Sequence, residues 1–401
     1  MAADRKIAYL VGDGMGDYAL DALGGKTPLQ AAAIPAMRAI AAAGNVRMIR
    51  TAPDGMFPGS DVCNLALLGY DPAENYTGRA PIEAAGAKIP LRPDDVTFRC
   101  NLVTVSDGVM RDHSAEHITS EEAMLLIDSL RPKIERDGLR LHHGVSYRHL
   151  LVWDRGPADA ETQLPHEILE QPVAGHLPRG ERADEIKAIM ETSREVFAAH
   201  PVNRARIAEG KNPATQVWLW GQGHSLTLES FTTRYGRTGG IITAVDLLRG
   251  LAVLTDLKVI DVEGATGWID TNYAGKAQAA LGSLQDDSFV YVHVEAPDEC
   301  GHQGNAKLKT EAIETFDARI VEPIWRAMEQ RGDPYRLIVA MDHRTPCALR
   351  GHSGEPVPMA VLDGPVGPVT DQAPFDESCN NGQAEVMAHE WVQELLRSTG
   401  M

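Results

Sequence analysis

The chain is poor in the features that would commit it to several large protein classes. Its five cysteines (Cys63, Cys100, Cys300, Cys347 and Cys379) are odd in number, widely spread and contain no C-x-x-C. That is a pattern of reduced thiols rather than of a disulfide framework. Positive charge is scarce: 38 Lys and Arg stand against 56 Asp and Glu, a formal balance of −18 over 401 residues. A nucleic-acid binder needs a basic face to displace counterions from phosphates, and an anionic membrane attracts basic segments, so neither is expected as a partner. Long apolar runs are missing; Ile241–Leu254 is interrupted by Asp246 and Arg249, and no stretch is long enough to span a bilayer. The first residues lead straight into Ile7–Val11 without the charged-then-apolar layout of a signal peptide, so a cytoplasmic location is expected. Collagen-like glycine periodicity, internal repeats and low-complexity tracts are absent as well. What remains is an ordinary globular composition, 43% apolar and 23% charged, with length for two domains or one large α/β domain carrying an insertion.

Three short apolar runs read as buried strands, and each leads to an aspartate in a Gly- or Pro-marked turn: Lys6–Val11 to Asp13, Phe289–Val294 to Asp298, and Leu337–Met341 to Asp342. Continuous apolar runs separated by helical patterns indicate parallel strands covered on both faces. Pro35 suits the first turn of a helix ending at Gly44. From Ala306 onward, Ile313, Phe316, Ile320 and Ile324 form one apolar helical stripe. The middle of the chain differs: a capping box at Thr119–Glu122, an amphipathic helix over Asp184–His200, and strand-like Tyr147–Trp153 and Gln216–Trp220 between Gly- and Pro-rich turns. The expectation is a discontinuous outer domain, 1–77 with 231–401, interrupted by an inserted α/β domain at 78–230.

Singly, an aspartate after a strand is most often a turn former. Here hard and soft donors cluster: Asp298 and His302 are four apart, Asp342 and His343 are adjacent, His352 follows nine residues later, and Asp13 sits in a glycine-rich turn that allows close ligand approach. In open α/β sheets, ligands bind beyond the carboxyl ends of the strands. Three Asp and three His exceed what one tetrahedral zinc requires and suit two divalent ions, which fit phosphoryl chemistry. Ser60, in Pro58-Gly59-Ser60-Asp61 before the run Val62–Leu68, reads two ways. It is a helix N-cap, or a nucleophile at a helix N-terminus that attracts phosphate. Cys300 falls between Asp298 and His302 but on another helix face, and reads as structural.

With these residues in view, the chain resembles the alkaline phosphatase superfamily and, within it, cofactor-independent phosphoglycerate mutases of the archaeal type. The resemblance runs essentially the full length. It is carried by Val-Gly-Asp-Gly-Met-Gly-Asp (11–17), Thr-Pro-Leu-Gln (27–30), Pro-Gly-Ser-Asp (58–61), Gly-Tyr-Asp-Pro (69–72) and Gly-Arg-Ala-Pro-Ile-Glu-Ala (78–84). It continues through Gly-Ala-Thr-Gly (264–267), His-Val-Glu-Ala-Pro-Asp-Glu-Cys-Gly-His (293–302), Met-Asp-His-Arg-Thr-Pro (341–346) and His352. It implies a phosphatase-like three-layer domain with a central, mostly parallel sheet, and a smaller inserted domain that binds substrate. It implies one ion on Asp13, Ser60, Asp342 and His343 and another on Asp298, His302 and His352. Manganese comes first, with zinc, cobalt or magnesium as alternatives. Ser60 becomes the catalytic nucleophile that takes the phosphoryl group of 3-phosphoglycerate and returns it at the 2-position, with neither ATP nor 2,3-bisphosphoglycerate. The implied partner is a small phosphorylated or hydroxylated metabolite, and the implied assembly a monomer or small homo-oligomer.

One stretch departs from that pattern. Where such mutases carry Asp-Arg-Arg-Ala-Gly-Arg, this chain has Arg111-Asp112-His113-Ser114-Ala115-Glu116-His117. Histidine cannot copy the planar fork by which arginine grips carboxylate and phosphate. Arg79, Arg111, Asp112, His113 and His117 are the implied substrate contacts. The same stretch, with 144–149 and 218–223, resembles a bacterial branch proposed to contain homoserine kinases, in which ATP would be the donor. No G-x-x-x-x-G-K-[ST] loop is present, although this superfamily would not require one.

Overall fold

The computed structural model describes residues 5–379 and 384–397. The chain divides into two compact units, residues 1–76 with 228–401, and 77–227. In chain order the strands are β1 (Lys6–Gly12) and β2 (Asn45–Arg50), then β3 (Asp95–Ser106), β4 (Val109–Asp112), β5 (Leu139–His142), β6 (Arg148–Asp154) and β7 (Gln216–His224) of the second unit. The first unit resumes with β8 (Gly239–Ile242), β9 (Lys258–Val259), β10 (Phe289–Val294), β11 (Tyr335–Ala340), β12 (Val357–Gly364) and β13 (Val386–Met387).

In the first unit eight strands form one sheet in the order β13-β2-β12-β11-β1-β10-β8-β9, antiparallel only where β12 meets β11 and β2. Every residue of β10 and all but the first of β1 are buried, because helices lie on both faces. One set comprises Pro35–Ala43, Tyr273–Asp286 and Glu322–Arg331; the other comprises Ser60–Leu67, Asp246–Leu254 and Ala388–Leu396. The result is an α/β fold around a mostly parallel sheet. The stripe of Ile313, Phe316, Ile320 and Ile324 is buried as its spacing predicts. It is carried by Ala306–Phe316 and Glu322–Arg331 joined through a π turn at Asp317–Val321. Asp317, in that turn, accepts the N–H groups of Ala36 and Met37 at 3.1 and 2.7 Å. It thereby satisfies orphan donors at the start of Pro35–Ala43, a helix with Pro at its start whose own cap position is an isoleucine.

The register of the central strands positions the chemistry. β1 lies between β10 and β11, parallel to both, with Gly12 opposite Val294 and Val11 opposite Ala340. The aspartates that follow these strands therefore emerge at one sheet edge. The Asp13 N–H reinforces this by bonding the Val294 carbonyl at 2.9 Å.

The second unit is an antiparallel sheet built on the twelve-residue β3, which pairs with β4, β6 and β7, while β5 pairs with β6. Ser120–Ile134 and Ala183–Ala198 pack with it around Phe98, Leu126, Ile186, Phe197 and Trp218. The capping box of the first of these helices forms as read: Thr119 Oγ1 accepts the Glu122 N–H, and the Glu122 carboxylate accepts that of Thr119. No helix among the described residues is long and apolar enough to cross a membrane.

Candidate metal centre and nucleophile

Ser60 is the first residue of the helix Ser60–Leu67. Gly59 occupies the cap position and has no side chain to cap with, and the first-turn amide of Val62 is taken by Asp61 Oδ1 at 3.0 Å. The N-cap reading of Ser60 is thereby corrected: Ser60 stands one position inside the helix, and its Oγ lies 3.2 Å from His343 Nε2. Asn64, one turn on, fixes this end of the helix. Its amide donates to the Ser60 carbonyl at 2.9 Å and to Asp342 Oδ2 at 2.8 Å, while its carbonyl accepts the Tyr291 hydroxyl at 2.6 Å.

Around the Ser60 hydroxyl the three strand-end aspartates converge with histidines in two overlapping groups. Asp13, His293 and Asp342 place ligand atoms within 4.8 Å of one another, as do Asp298, His343 and His352. His343 belongs to both neighbourhoods, with Nε2 3.4 Å from Asp13 Oδ1 and 3.5 Å from Asp342 Oδ2 and its ring stacked at 4.0 Å on His352. His302 completes the second group: its Nε2 is 3.2 Å from Asp298 Oδ2 and 3.0 Å from His352 Nε2. The other ring nitrogen of His302 faces the Arg350 carbonyl at 3.0 Å. A proton held there leaves Nε2 as the bare, ligand-ready atom. All six carboxylate and imidazole ligands implied by the resemblance, and Ser60, are thus brought together.

The electrostatics are those of a site built for cations. Burial, then the charges of Asp342, Asp298 and Glu295, push the Asp13 carboxyl well above its ordinary range. Its Oδ1 is buried without a hydrogen-bond partner, a costly state for a carboxylate unless a cation meets it. Burial also lowers His343 to about 4 and His293 to about 3, which keeps both imidazoles neutral and able to ligate. In the other group Asp298 raises His302 to about 10. Burial opposes ionisation of Asp298, but His302 and His352 outweigh it and hold the carboxyl well below the usual range. Mixed carboxylate and imidazole donors with an orphaned buried oxygen fit two divalent ions. Cys300 is fully buried, and that burial pushes its thiol up to about 12, which disfavours the thiolate.

Sequence reasoning missed His293, whose Nε2 meets Asp13 Oδ2 at 3.0 Å. The signal was available: a histidine inside the otherwise apolar Phe289–Val294 must find a polar partner when the strand is buried on both faces. It also missed Thr345, whose hydroxyl donates to Asp298 and lies 3.2 Å from His343 Nδ1, linking two ligands that come from different strand ends.

The implied substrate contacts lie in the second unit and fall into two sets. Arg111 is on the surface, ion-paired to the exposed Glu170. Asp112 organises its own loop, accepting the N–H groups of Ser114 and Glu116 at 2.8 and 2.6 Å and supporting the left-handed backbone at 115–117. His113 and His117 instead lie against Tyr147, with ring centroids at 5.8 and 6.1 Å. His166 continues the cluster from His113 to Trp220. Arg79 and the buried Arg99 both reach over Trp220 and both pair with Glu83. Burial alone would raise Glu83, yet the two guanidinium groups bring it below its usual value. Arg148 also acts on this pair electrostatically.

Comparison with known proteins agrees with this geometry. Residues 41–203 match the family described as 2,3-bisphosphoglycerate-independent phosphoglycerate mutase. A protein so named from Methanosarcina mazei is 44% identical over 396 residues, covering 98% of this chain and 100% of its own length. A probable member from Geobacter sulfurreducens is 46% identical, covering 93% of this chain and 94% of its own. A solved protein of Pyrococcus horikoshii superposes with a TM-score of 0.80 at 29% identity over 99% of both chains. The cofactor-independent phosphoglycerate mutase of Thermoplasma acidophilum gives 0.60 at 26% identity over 98% of both. With near-complete coverage at this level of identity, the chain belongs to the 2,3-bisphosphoglycerate-independent phosphoglycerate mutase family.

Proposed function

We propose that this protein interconverts 3-phosphoglycerate and 2-phosphoglycerate through a phosphoserine at Ser60, without 2,3-bisphosphoglycerate and without ATP, as a step of cytoplasmic glycolysis and gluconeogenesis. The observation that carries the reading is the Ser60 hydroxyl, freed from helix capping and set 3.2 Å from His343 Nε2 among converging carboxylates and imidazoles. Asp13, Asp342 and His343 with Ser60 would hold one divalent ion, and Asp298, His302 and His352 the other, with manganese the first candidate. When bound, the ions supply positive charge to the phosphoryl oxygens and ease deprotonation of the serine hydroxyl.

Ser60 attacks the phosphorus, the bond to the substrate's 3-oxygen breaks, and that oxygen takes up a proton to balance the one the serine hydroxyl gives up. The glycerate turns within the site, and its 2-hydroxyl gives up its proton as it attacks the phosphoserine, breaking the bond to Oγ, which takes a proton back and regenerates Ser60. Asn64 and Tyr291 hold the serine's backbone in place throughout, so orientation is set before substrate arrives. In the second unit, Arg79, the substrate contact that the resemblance implies, carries a planar guanidinium fork of the kind that suits a carboxylate.

The test is a Mn²⁺-loaded assay with 3-phosphoglycerate alone, coupled to detection of 2-phosphoglycerate, beside a parallel arm with homoserine and ATP. Turnover in the first arm with ³²P recovered on Ser60 after acid quench supports the mutase. Phosphohomoserine formed only with ATP overturns it, as does absence of label on Ser60 in both arms.

A further inference from the structure

We infer that Lys309 is a positioning residue: a three-pronged latch that fixes the Asp13 loop against the Asp342–His343 loop and so sets the spacing of the metal ligands. The inference rests on the two-ion reading of the site. Lys309 lies on the helix Ala306–Phe316 at a place its pattern reserves for an apolar residue, four before Ile313 and seven before Phe316, and it is completely buried. Its ammonium makes three bonds, as many as it has protons. It donates to the Gly16 carbonyl at 2.8 Å, the Asp17 carboxylate at 3.0 Å and the Thr345 carbonyl at 2.8 Å. Asp17 spreads the grip, accepting the N–H groups of Tyr18 at 2.7 Å and Cys347 at 3.1 Å.

Each prong leads to a ligand. Gly16 and Asp17 end the turn that begins at Asp13, and the Gly14 N–H bonds Asp342 Oδ1 at 3.0 Å. Thr345 sits two residues after His343, its N–H bonds the Gly16 carbonyl at 3.0 Å, and its hydroxyl bridges His343 and Asp298. The helix Ala296–His302 presses on the same point, since a Cβ on Gly301 would lie 2.8 Å from Thr345 Cγ2. Lys309 thus holds the backbone node through which all three ligand-bearing loops are joined. Stability does not explain such a pair: an apolar replacement of a buried ion pair is often neutral or stabilising. A fixed distance between two loops is what the apolar alternative would lack.

The decisive variant is the double substitution Asp17→Asn with Lys309→Met, since Lys309→Met alone leaves Asp17 buried and uncompensated. With its far-ultraviolet dichroism and cooperative melt retained, it is expected to bind Mn²⁺, measured calorimetrically on the metal-stripped protein, about 10–100-fold more weakly than the parent. Equal affinity and stoichiometry overturn the latch while leaving the metal reading intact. Failure of the parent itself to bind Mn²⁺ overturns both. A measurement on the unaltered, metal-stripped protein stands beside it should the double variant not fold. The amides of Thr345 and Cys347 are expected to exchange hydrogen slowly before any metal is added, and fast exchange of both overturns the latch.

Discussion

Gly14 offers a severe test of how tightly the centre is built. It has φ of +58°, and a Cβ there would lie 2.6 Å from Asp298 Oδ1 and closer still to Thr345 Oγ1. Gly14→Ala therefore has two costs. A non-glycine residue in the left-handed region costs roughly 1–2 kcal/mol. The methyl group also wedges apart Thr345 and Asp298, whose hydrogen bond is buried, and a broken buried bond costs about 1–3 kcal/mol. The expected loss is about 2–5 kcal/mol. Gly24 supplies the control, for its φ is +66° and nothing lies within 4 Å of a Cβ placed on it, so Gly24→Ala carries only the backbone cost. Urea unfolding of the two metal-stripped variants isolates the wedge as their difference, and Mn²⁺ titration reads its consequence. Displacing Asp298 from His302 and His352 should weaken metal binding about 10–100-fold in Gly14→Ala and leave Gly24→Ala at the parent value. Should both variants lose equal stability and bind Mn²⁺ equally, the reasoning that couples the glycine turn to Asp298 fails.

Ser60→Ala should abolish turnover and phosphoserine formation yet change unfolding free energy by less than the ~1 kcal/mol typical of a lost N-cap; a larger loss would restore the capping role. Chelation should lower the melting temperature, because each ion present at 100 times its dissociation constant contributes about 2.7 kcal/mol to the folded state, and an unchanged melt with EDTA counts against the metal centre. Acid sensitivity has a named contributor in the second unit. Burial lowers His149 from 6.5 to about 3, so the unfolded chain takes up a proton that the folded chain refuses across that window. The contribution is complete above pH 6.5 and is lost on descending toward 3, at up to ~1.4 kcal/mol per pH unit. His149→Gln should flatten that limb in pH-dependent urea unfolding, and an unaltered slope would remove His149 as the cause.

The readable parts of this protein share a cause. Asp13, Asp298 and Asp342 stood out because each follows an apolar run that can only be a buried strand, and because histidines sit close beside two of them in sequence. Local spacing also marked the Thr119 capping box, the helix starting at Pro35, and the stripe from Ile313 to Ile324. Residues whose role depends on a distant partner were invisible or ambiguous. Ser60 looked as much like a cap as a nucleophile, because the direction of its Oγ is settled by Gly59 taking the cap and by His343 arriving from 283 residues away. Arg111 and Arg99 illustrate the same point in reverse: the arginine nearest the expected motif pairs outward with Glu170, while one inside a strand lies buried with Glu83.

By itself, then, the sequence determined the inventory: three acids at strand ends, three histidines near two of them, a serine beside a helix start, and a strongly acidic charge balance. Those are local facts, dictated by hydrophobic periodicity, turn chemistry and charge. Only the tertiary structure decided which atoms meet. The parallel register of β10, β1 and β11 brings the three strand ends to one edge, His293 turns from core residue to partner of Asp13, and Lys309 leaves the apolar stripe to join two loops. Strand order and register depend on contacts hundreds of residues apart, and no pattern confined to one segment encodes them.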